Sequence, residues 1–300
     1  MSPSRRSVSF RTADHLELRG WFYPAGDKAP TVILSHGLTG LKEQFLDSFA
    51  ARFQANRFAC LVYDNRNFGA SDGLPRYEVD AFRQVEDYHD AITFATGLSE
   101  VDPERIAAWG SSYSGGNVIQ AAAVDRRIKA VIAQVPFVSG NSNAATLLPL
   151  MPTILADRAD IAAGKPGQIT QVVASSLAEA KAGNSNSILP EPDAYQFFVE
   201  NPLPNGIVWE NKITLQSLFK LLKNEPRAYI RRIAPTPLLM VVAEDDTAVH
   251  VPTQLAVFGE AGEPKELLFL PKTGHFEPYS GPAFEVNIER QLAFLKTHLL

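Results

Sequence analysis

The chain has 300 residues, and its 33 acidic side chains outnumber its 28 Lys and Arg side chains, which gives a formal net charge of −5. This excess of negative charge argues against a protein that binds the phosphate backbone of a nucleic acid. A hydrophobic fraction of 45% and a charged fraction of 20% are typical of a globular protein with a sizeable core.

The composition also argues against several kinds of site and location. Cys60 is the only cysteine, so the chain forms no intramolecular disulfide, and the six histidines are scattered without the spacing of zinc ligands. No run approaches the roughly 18 consecutive apolar residues of a membrane span. The positively charged start, Met1–Ser7, is not followed by the apolar stretch of a signal peptide. We therefore expect a cytoplasmic protein with no metal site and no membrane association.

Predicted strands and helices alternate through the first half of the chain. Ser7–Thr12 and Leu16–Pro24 alternate in polarity and predict a hairpin. Buried strands and amphipathic helices follow in turn, and this alternation is typical of a mostly parallel sheet with helices on both faces. The predicted strands are Thr31–Leu34, Ala59–Tyr63, Ile106–Trp109 and Ile128–Val135; the predicted helices carry Phe45, Phe49 and Phe53, run from Val79 to Ala95, and span Ser114–Val124.

The alternation stops after Phe137 and returns near residue 233. Between these points the sequence predicts helical patches at Gln171–Ala182 and Leu215–Leu222, with a turn at Gly183–Ser187. Strands and helices then alternate again, so we predict one core, residues 1–137 and 233–300, with a lid inserted at 138–232. The later predicted elements are the strands Pro237–Ala243 and Lys265–Leu270, the helix Pro252–Ala261 and a final helical stripe from Phe284 to Leu299.

The segment Trp109–Gly116 joins a predicted strand to a predicted helix through a turn rich in Gly and Ser. This is the setting of a nucleophile elbow, which projects one hydroxyl above the sheet. Ser112, two residues after Gly110, is the predicted nucleophile. The pattern Gly-x-Ser-x-Gly would place Gly at position 114, but Ser114 is small and two glycines follow it. The alternative is a loop without catalysis.

A literal Gly-x-Ser-x-Gly pattern occurs at Gly69–Gly73, but it lies several residues past its strand. No helix starts on it, so Ser71 is not predicted to be a nucleophile. Asp64 and Arg66, which begin the same loop, are predicted to brace neighbouring loops.

A His-Gly pair follows the predicted strand Thr31–Leu34. On a sheet with a nucleophile elbow, this loop supplies one backbone N–H to the oxyanion hole, here that of Leu38, and the residue after the nucleophile, Tyr113, supplies the other. Such donors stabilise the negative charge that develops on the substrate oxygen. The imidazole of His36 is more typical of a group that shapes the loop than of a catalyst.

Two later loops supply a candidate acid and a candidate base. The strand Leu238–Ala243 ends in three acidic residues, and a carboxylate there can hold the tautomer of a histidine. Asp246 is the predicted acid, with Asp245 as the alternative. His275 follows the last predicted strand and is the predicted base. The order Ser112, Asp246, His275 is the chain order of a triad on this type of sheet.

Four segments together make the chain resemble an α/β-hydrolase over nearly its whole length. Among such enzymes it is most similar to the dienelactone-hydrolase-like group, and above all to the polyketide transferase/hydrolase family of fungal biosynthetic clusters. The resemblance implies release or transfer of a polyketide acyl chain. Some members carry Cys as nucleophile, whereas Ser112 stands here, which leaves hydrolysis and transfer both open. The segments are His36–Gly40, Asp64–Gly69, Trp109–Gly116 and Gln134–Gly140.

The residues and the resemblance predict a serine hydrolase that cleaves an ester or thioester of a hydrophobic acyl group and needs no cofactor. The alternatives are an acyltransferase with an alcohol or amine acceptor, and a catalytically silent binding protein on the same fold. The expected partner is a small-molecule acyl substrate, free or bound to a carrier, and a homodimer is left open. Because 138–232 is rich in apolar residues, we predict an apolar pocket between the lid and Ser112, with His36, Phe137 and Trp209 as candidate substrate contacts.

Overall fold

The computed structural model describes residues 4–300; Met1–Pro3, the start of the segment that argues against a signal peptide, lie outside the described residues. The strands are β1 Arg6–Arg11, β2 Glu17–Tyr23, β3 Ala29–Ser35, β4 Ala59–Tyr63, β5 Val101–Ser111, β6 Ile128–Gln134, β7 Ile169–Thr170, β8 Ile213–Thr214, β9 Leu238–Ala243 and β10 Lys265–Leu270. The α-helices are α1 Leu46–Ala55, α2 Ala81–Thr96, α3 Tyr113–Ala122, α4 Ala144–Leu147, α5 Met151–Ala162, α6 Leu177–Ala182, α7 Pro192–Tyr195, α8 Leu215–Lys223, α9 Val251–Glu260 and α10 Gly281–Leu299. Short 3-10 helices span Gly140–Asn143, Leu148–Leu150, Pro204–Gly206, Pro226–Arg232 and Glu277–Tyr279, and a π-helix spans Gln196–Glu200.

Eight strands of the described chain form one sheet in the order β1-β2-β4-β3-β5-β6-β9-β10. The pairs β1–β2 and β2–β4 are antiparallel, and every other neighbouring pair is parallel. The predicted hairpin and the predicted mostly parallel sheet are both confirmed. Because parallel strands end at the same edge, the loops after β3, β5, β6, β9 and β10 meet there.

The strands β3, β4 and β9 are buried along their whole length, which is why their sequences are largely continuous apolar runs. In β4 all five residues are buried. Cys60 and Val62 pack in the core that also holds α1 and α10, while Leu61 and Tyr63 pack on the opposite face in the core that holds α2 and α3. The predicted layers of helices on both faces are thus confirmed.

Residues 138–232 leave the sheet after β6 and return at β9, which lies next to β6. Apolar side chains from this segment join the core on the α1 face, among them Ile154, Phe197 and Leu218. The prediction of a helix over Gln171–Ala182 is wrong for its first half, since α6 begins only at Leu177. The Ser176 side chain accepts the N–H of Glu179, so Ser176 is the N-cap that starts the helix, and the Glu179 carboxylate accepts the N–H of the preceding residue, Ser175.

None of the helices within residues 4–300 combines the length and the apolar character that crossing a bilayer requires.

Candidate active site

Ser112 lies in the sharp turn between β5 and α3. Its backbone has φ 55° and ψ −118°, a conformation that a non-glycine residue rarely adopts. A Cβ at Gly110 would lie 2.1 Å from the carbonyl oxygen of Ser114, so only glycine fits at the start of the turn. The strained turn therefore has the geometry of the predicted elbow, with Ser112 at its apex.

Serine at position 114 is compatible with this turn because the residue is helical and lies inside α3. The close approach to the loop after β6 is made by the two following glycines. A Cβ at Gly115 would lie 2.8 Å from Cβ of Pro136, and one at Gly116 would lie 2.3 Å from the carbonyl oxygen of Phe137. The requirement at 114 is small size, which Ser114 meets.

Ser112, His275 and Asp246 form one hydrogen-bonded chain. The Ser112 hydroxyl donates to Nε2 of His275 over 3.0 Å, and Nδ1–H of His275 donates to Oδ2 of Asp246 over 2.8 Å. His275 is 1% exposed, so the imidazole is shielded from bulk water. The structure thus brings together the three residues that the sequence places far apart.

The loop after β9 separates the two candidate acids. Oδ1 of Asp246 accepts the backbone N–H groups of Ala248 and Val249 over 3.0 and 2.8 Å, which leaves Oδ2 directed at His275. The Asp245 side chain is exposed, whereas that of Asp246 is buried. Of the two, Asp246 is the one that contacts the histidine.

The two predicted oxyanion donors, Leu38 and Tyr113, line the same cavity as Ser112. Gly37 passes so close that a Cβ there would lie 2.9 Å from Cβ of Ser112, which brings the following residue, Leu38, to the same point. Tyr113 is the first residue of α3, and the N–H groups of a first helical turn have no acceptor within the helix. The backbone N–H groups at this point are therefore suited to donate hydrogen bonds to a developing oxyanion.

The imidazole of His36 holds the loop after β3 in place. Its Nε2 accepts the N–H of Asn65 over 3.1 Å, which places the proton on Nδ1, and Nδ1–H faces the carbonyl oxygen of Gly37 at 3.0 Å. Burial lowers the pKa of His36, an effect that the nearby Asp64 carboxylate opposes. The ring stays neutral and structural, although it also lines a cavity beside Ser112.

The loop that carries the literal Gly-x-Ser-x-Gly pattern is tied to the sheet. The Ser71 hydroxyl donates to the carbonyl oxygen of Asp64 and accepts the N–H of Arg19. The Asp64 carboxylate accepts from Lys42, while Arg66 forms ion pairs with Asp87 and Asp14. These groups brace the loop.

Two cavities meet at Ser112. The larger, about 120 Å³, lies between the insertion and the body and is lined mainly by apolar side chains, with a polar rim. The smaller, about 20 Å³, is lined largely by aromatic side chains and by His275. Residues that line the larger cavity include Phe137, Leu147, Leu150, Ile188, Leu189 and Leu221; those that line the smaller include His36, Gln44, Phe197, Phe198, Phe276 and Tyr279.

Phe137 therefore lies where the sequence predicts a substrate contact, but Trp209 does not. Trp209 lines neither cavity at Ser112; its indole N–H donates to the carbonyl oxygen of Thr39 over 2.9 Å, and its ring stacks on Phe198 at 4.6 Å. It packs against Phe198, one of the aromatic side chains that line the smaller cavity, and does not reach the cavity itself. An indole needs a partner for its N–H when it is buried, and here the loop after β3 supplies one.

Two carboxyl groups of the insertion, Glu191 and Asp193, also approach the histidine. Burial raises the pKa of both, and each interacts electrostatically with His275 and Asp246. Neither was predicted from the sequence, because nothing local marks which part of an insertion folds back over the candidate site. The same holds for Phe197, which contacts Phe276 and Tyr279 around the smaller cavity.

Within the part of the chain that the structure describes, no group of three or more His, Cys, Asp or Glu side chains is arranged to hold a metal ion.

Comparison with known proteins gives matches over almost the whole chain. A family model described as the alpha/beta hydrolase fold matches residues 30–282. A protein named thiohydrolase from Eupenicillium brefeldianum is 34% identical over 292 residues, which cover 97% of this chain and 94% of that protein. Polyketide transferase grgF from Penicillium sp is 35% identical over 299 residues, with coverages of 98% and 97%. The crystal structure of alpha/beta hydrolase GrgF from Penicillium sp. sh18 superposes with a TM-score of 0.84 at 33% identity and covers 99% of both chains.

Proposed function

The chain belongs to the alpha/beta hydrolase fold family, and from that premise we propose that it cleaves an ester or thioester of a hydrophobic, polyketide-type acyl chain through an acyl-enzyme on Ser112. The observation that carries the proposal is the hydrogen-bonded chain from Ser112 through His275 to Asp246. The predicted fold class and the predicted enzyme class, a hydrolase or acyltransferase, agree with relatives of both names.

The chemistry follows from the order of the three groups. Nε2 of His275 takes the proton of Ser112 while Oγ attacks the acyl carbonyl carbon, and Asp246 holds the tautomer and stabilises the imidazolium. The N–H groups of Leu38 and Tyr113 bind the oxyanion. The imidazolium then protonates the leaving group, the bond from carbon to that group breaks, and the acyl group stays on Ser112.

The acyl chain is assigned to the larger cavity. That cavity is bounded by Phe137 of the body and by apolar side chains of the insertion 138–232, which we propose as a lid over the active site. An apolar cavity binds an acyl chain by removing its CH₂ groups from water. The polyketide character of the chain is inferred from the name of the Penicillium relative.

Transfer to an alcohol or amine acceptor is the second candidate, and the relative named polyketide transferase favours it. Both reactions share the acyl-enzyme and differ only in the second nucleophile. A catalytically silent binding protein is disfavoured, because such a protein has no need of an intact Ser112–His275–Asp246 chain. A carrier-bound substrate, a homodimer and a cytoplasmic location remain predictions.

The test compares two serine variants. We expect Ser112→Ala to lower kcat on p-nitrophenyl esters and acyl-thioesters by several orders of magnitude and to abolish labelling by a fluorophosphonate probe. Ser71→Ala is the matched control, because it removes a buried hydroxyl that only braces a loop; it should lose stability and retain most of its activity. If Ser71→Ala were the inactive variant, the assignment of the nucleophile to Ser112 would be wrong.

A further inference from the structure

Gln44 lies in the turn between β3 and α1. The oxygen of its side-chain amide has a hydrogen-bond partner, but the nitrogen has none in residues 4–300. The residue is 3% exposed. Its Oε1 accepts the backbone N–H of Leu41 over 2.8 Å, and its own backbone N–H donates to the carbonyl oxygen of Leu41 over 2.9 Å. Because the N–H of Leu41 can only donate, it fixes which end of the amide is oxygen.

Nε2 of Gln44 is buried, and no atom in residues 4–300 accepts a hydrogen bond from it. A buried donor without a partner is unfavourable, so such groups are nearly always paired with protein or with ordered water. Gln44 lines the smaller cavity at Ser112, and the cavity volume of about 20 Å³ is sufficient for about one water molecule, which needs roughly 10–15 Å³.

The other polar side chains around this cavity, apart from Ser112 and His275, are already paired. The Tyr279 hydroxyl donates to Oγ of Ser111, and both ring nitrogens of His36 face backbone groups. The remaining lining is mostly aromatic and aliphatic. Gln44, Ser112 and His275 are therefore the side chains of this lining that have hydrogen-bonding groups to offer a small polar molecule in the cavity.

The position of His275 gives the reason to assign this cavity to the second half of the reaction. His275 lines the smaller cavity and not the larger one. The nucleophile that releases the acyl group must give its proton to Nε2 of His275, so it must approach from the histidine side. The acyl chain, in the larger cavity, would leave that side free.

We infer that Gln44 binds and orients the water that hydrolyses the acyl-enzyme, an inference that rests on the acyl-enzyme of the proposed function. The water oxygen accepts the Nε2–H of Gln44 and attacks the acyl carbon, while its proton passes to Nε2 of His275. The carbon–Oγ bond to Ser112 then breaks, and Oγ takes that proton back. The products are a carboxylic acid and free enzyme, so Gln44 favours hydrolysis over transfer to a bulky acceptor.

The experiment separates acylation from deacylation in the variant Gln44→Met, which removes the donor at similar volume. With a p-nitrophenyl ester, we expect the burst of p-nitrophenolate to keep its rate within about threefold, and steady-state turnover to fall at least tenfold. Intact-protein mass spectrometry should then show acylated protein in excess over the wild type. Fluorophosphonate labelling of Ser112 should keep its wild-type rate.

Two further variants keep the test decisive. Gln44→Glu retains an oxygen that accepts the N–H of Leu41, so it replaces Gln44→Met if that variant does not fold. Assayed at a pH where its carboxylate is ionised and has no proton to donate, it should show the same block of deacylation. Gln120→Met is the matched control, because it removes a buried amide that donates to Asn224 and lines neither cavity at Ser112. It should lose stability without accumulating acyl-enzyme.

Two results would overturn the role of Gln44: burst rate and turnover falling together without an acyl adduct, or no change in either. Failure of the proposed function gives a different result, since the wild type itself would then resist the fluorophosphonate probe.

Discussion

Asp246 and Asp245 are adjacent in sequence, yet their carboxylates lie in different environments. Asp246 contacts the imidazole of His275 and two loop N–H groups, whereas the Asp245 side chain faces solvent. An amide at 246 would favour the wrong tautomer of His275. We therefore expect Asp246→Asn to lower kcat about 10⁴-fold.

Asp245→Asn is the control for the same experiment, since it makes the same chemical change one residue earlier. It should leave kcat within about threefold of the wild type, because the Asp245 carboxylate is exposed and the carboxylate that contacts His275 is that of Asp246. Steady-state kinetics on one ester measures kcat for both variants. A larger loss of kcat in Asp245→Asn would mean that Asp245, not Asp246, is the acid of the triad.

His36 makes stability depend on pH. Burial lowers the pKa of its imidazole, so the folded protein holds it neutral while the unfolded chain binds a proton below about pH 6.5. The unfolded state then binds more protons than the folded state, and the free energy of unfolding falls as the pH drops from about 7 to 5. The slope from this group is at most about 1.4 kcal/mol per pH unit.

The variant His36→Gln tests this contribution, because its side-chain oxygen can still accept the N–H of Asn65 but does not titrate. Urea unfolding of both proteins at several pH values should give curves that diverge at neutral pH and converge as the pH falls. Parallel curves would mean that the imidazole is protonated in the folded protein as well.

At the scale of elements, the elbow depends on glycines 115 and 116 more than on residue 114. Gly116→Ala would place a Cβ 2.3 Å from the carbonyl oxygen of Phe137, a clash with backbone that cannot be relieved by a rotamer change. Such overpacking costs typically 1–3 kcal/mol, which corresponds to a fall in Tm of at least about 2 °C. Differential scanning calorimetry measures it.

Ser114→Gly is the contrasting variant, and it restores the pattern Gly-x-Ser-x-Gly. Because residue 114 is helical and its neighbours already provide the close approach, we expect kcat within about threefold of the wild type. A gain or loss of tenfold or more would show that the Ser114 hydroxyl acts on Ser112 in a way the packing does not explain.

The elements that the sequence predicts well are those whose apolar residues occupy the positions that the fold buries. Strands such as β4, buried on both faces, are continuous apolar runs, and the observed bounds Ala59–Tyr63 equal the predicted ones. Helix α5, Met151–Ala162, was not predicted, because it buries only Ile154 and Asp157 and so carries no apolar stripe. The start of α6 was predictable from its N-cap, Ser176, and from the pattern Ser-x-x-Glu that begins there, but the apolar pattern of the preceding residues concealed it.

At the scale of the whole molecule, the sequence predicted which residues come together at the candidate active site, but not the shape of the space around them. Ser112 and His275 could be found because each lies in a loop with a local signature, at the end of a strand. The two cavities are formed by side chains from five or more separate segments, and no local pattern encodes how those segments meet. Trp209 illustrates the difference: its apolar surface was evident, but its partner, Phe198, depends on how the insertion folds back.

The larger cavity is lined by side chains of both the insertion and the body, so we expect both to determine which acyl chains bind. Leu150 lines this cavity and is 39% exposed, so a larger side chain there can fill the cavity without disturbing a buried core. In the wild type each CH₂ that leaves water contributes about 0.8 kcal/mol, so kcat/KM should rise about three- to fourfold per CH₂ of acyl chain until the cavity is full. Leu150→Trp should keep the value for acetyl esters and flatten this rise.

Leu148→Trp is the matched control, since Leu148 is 55% exposed, lies two residues away and lines neither cavity at Ser112. It adds the same indole to the same 3-10 helix, but at a position that does not line the cavity, and should leave the rise with chain length intact. The measurement is kcat/KM for p-nitrophenyl esters from acetyl upward in all three proteins. A series that is flat or falling already in the wild type would mean that the acyl chain does not bind in this cavity, and that the enzyme acts on short acyl groups.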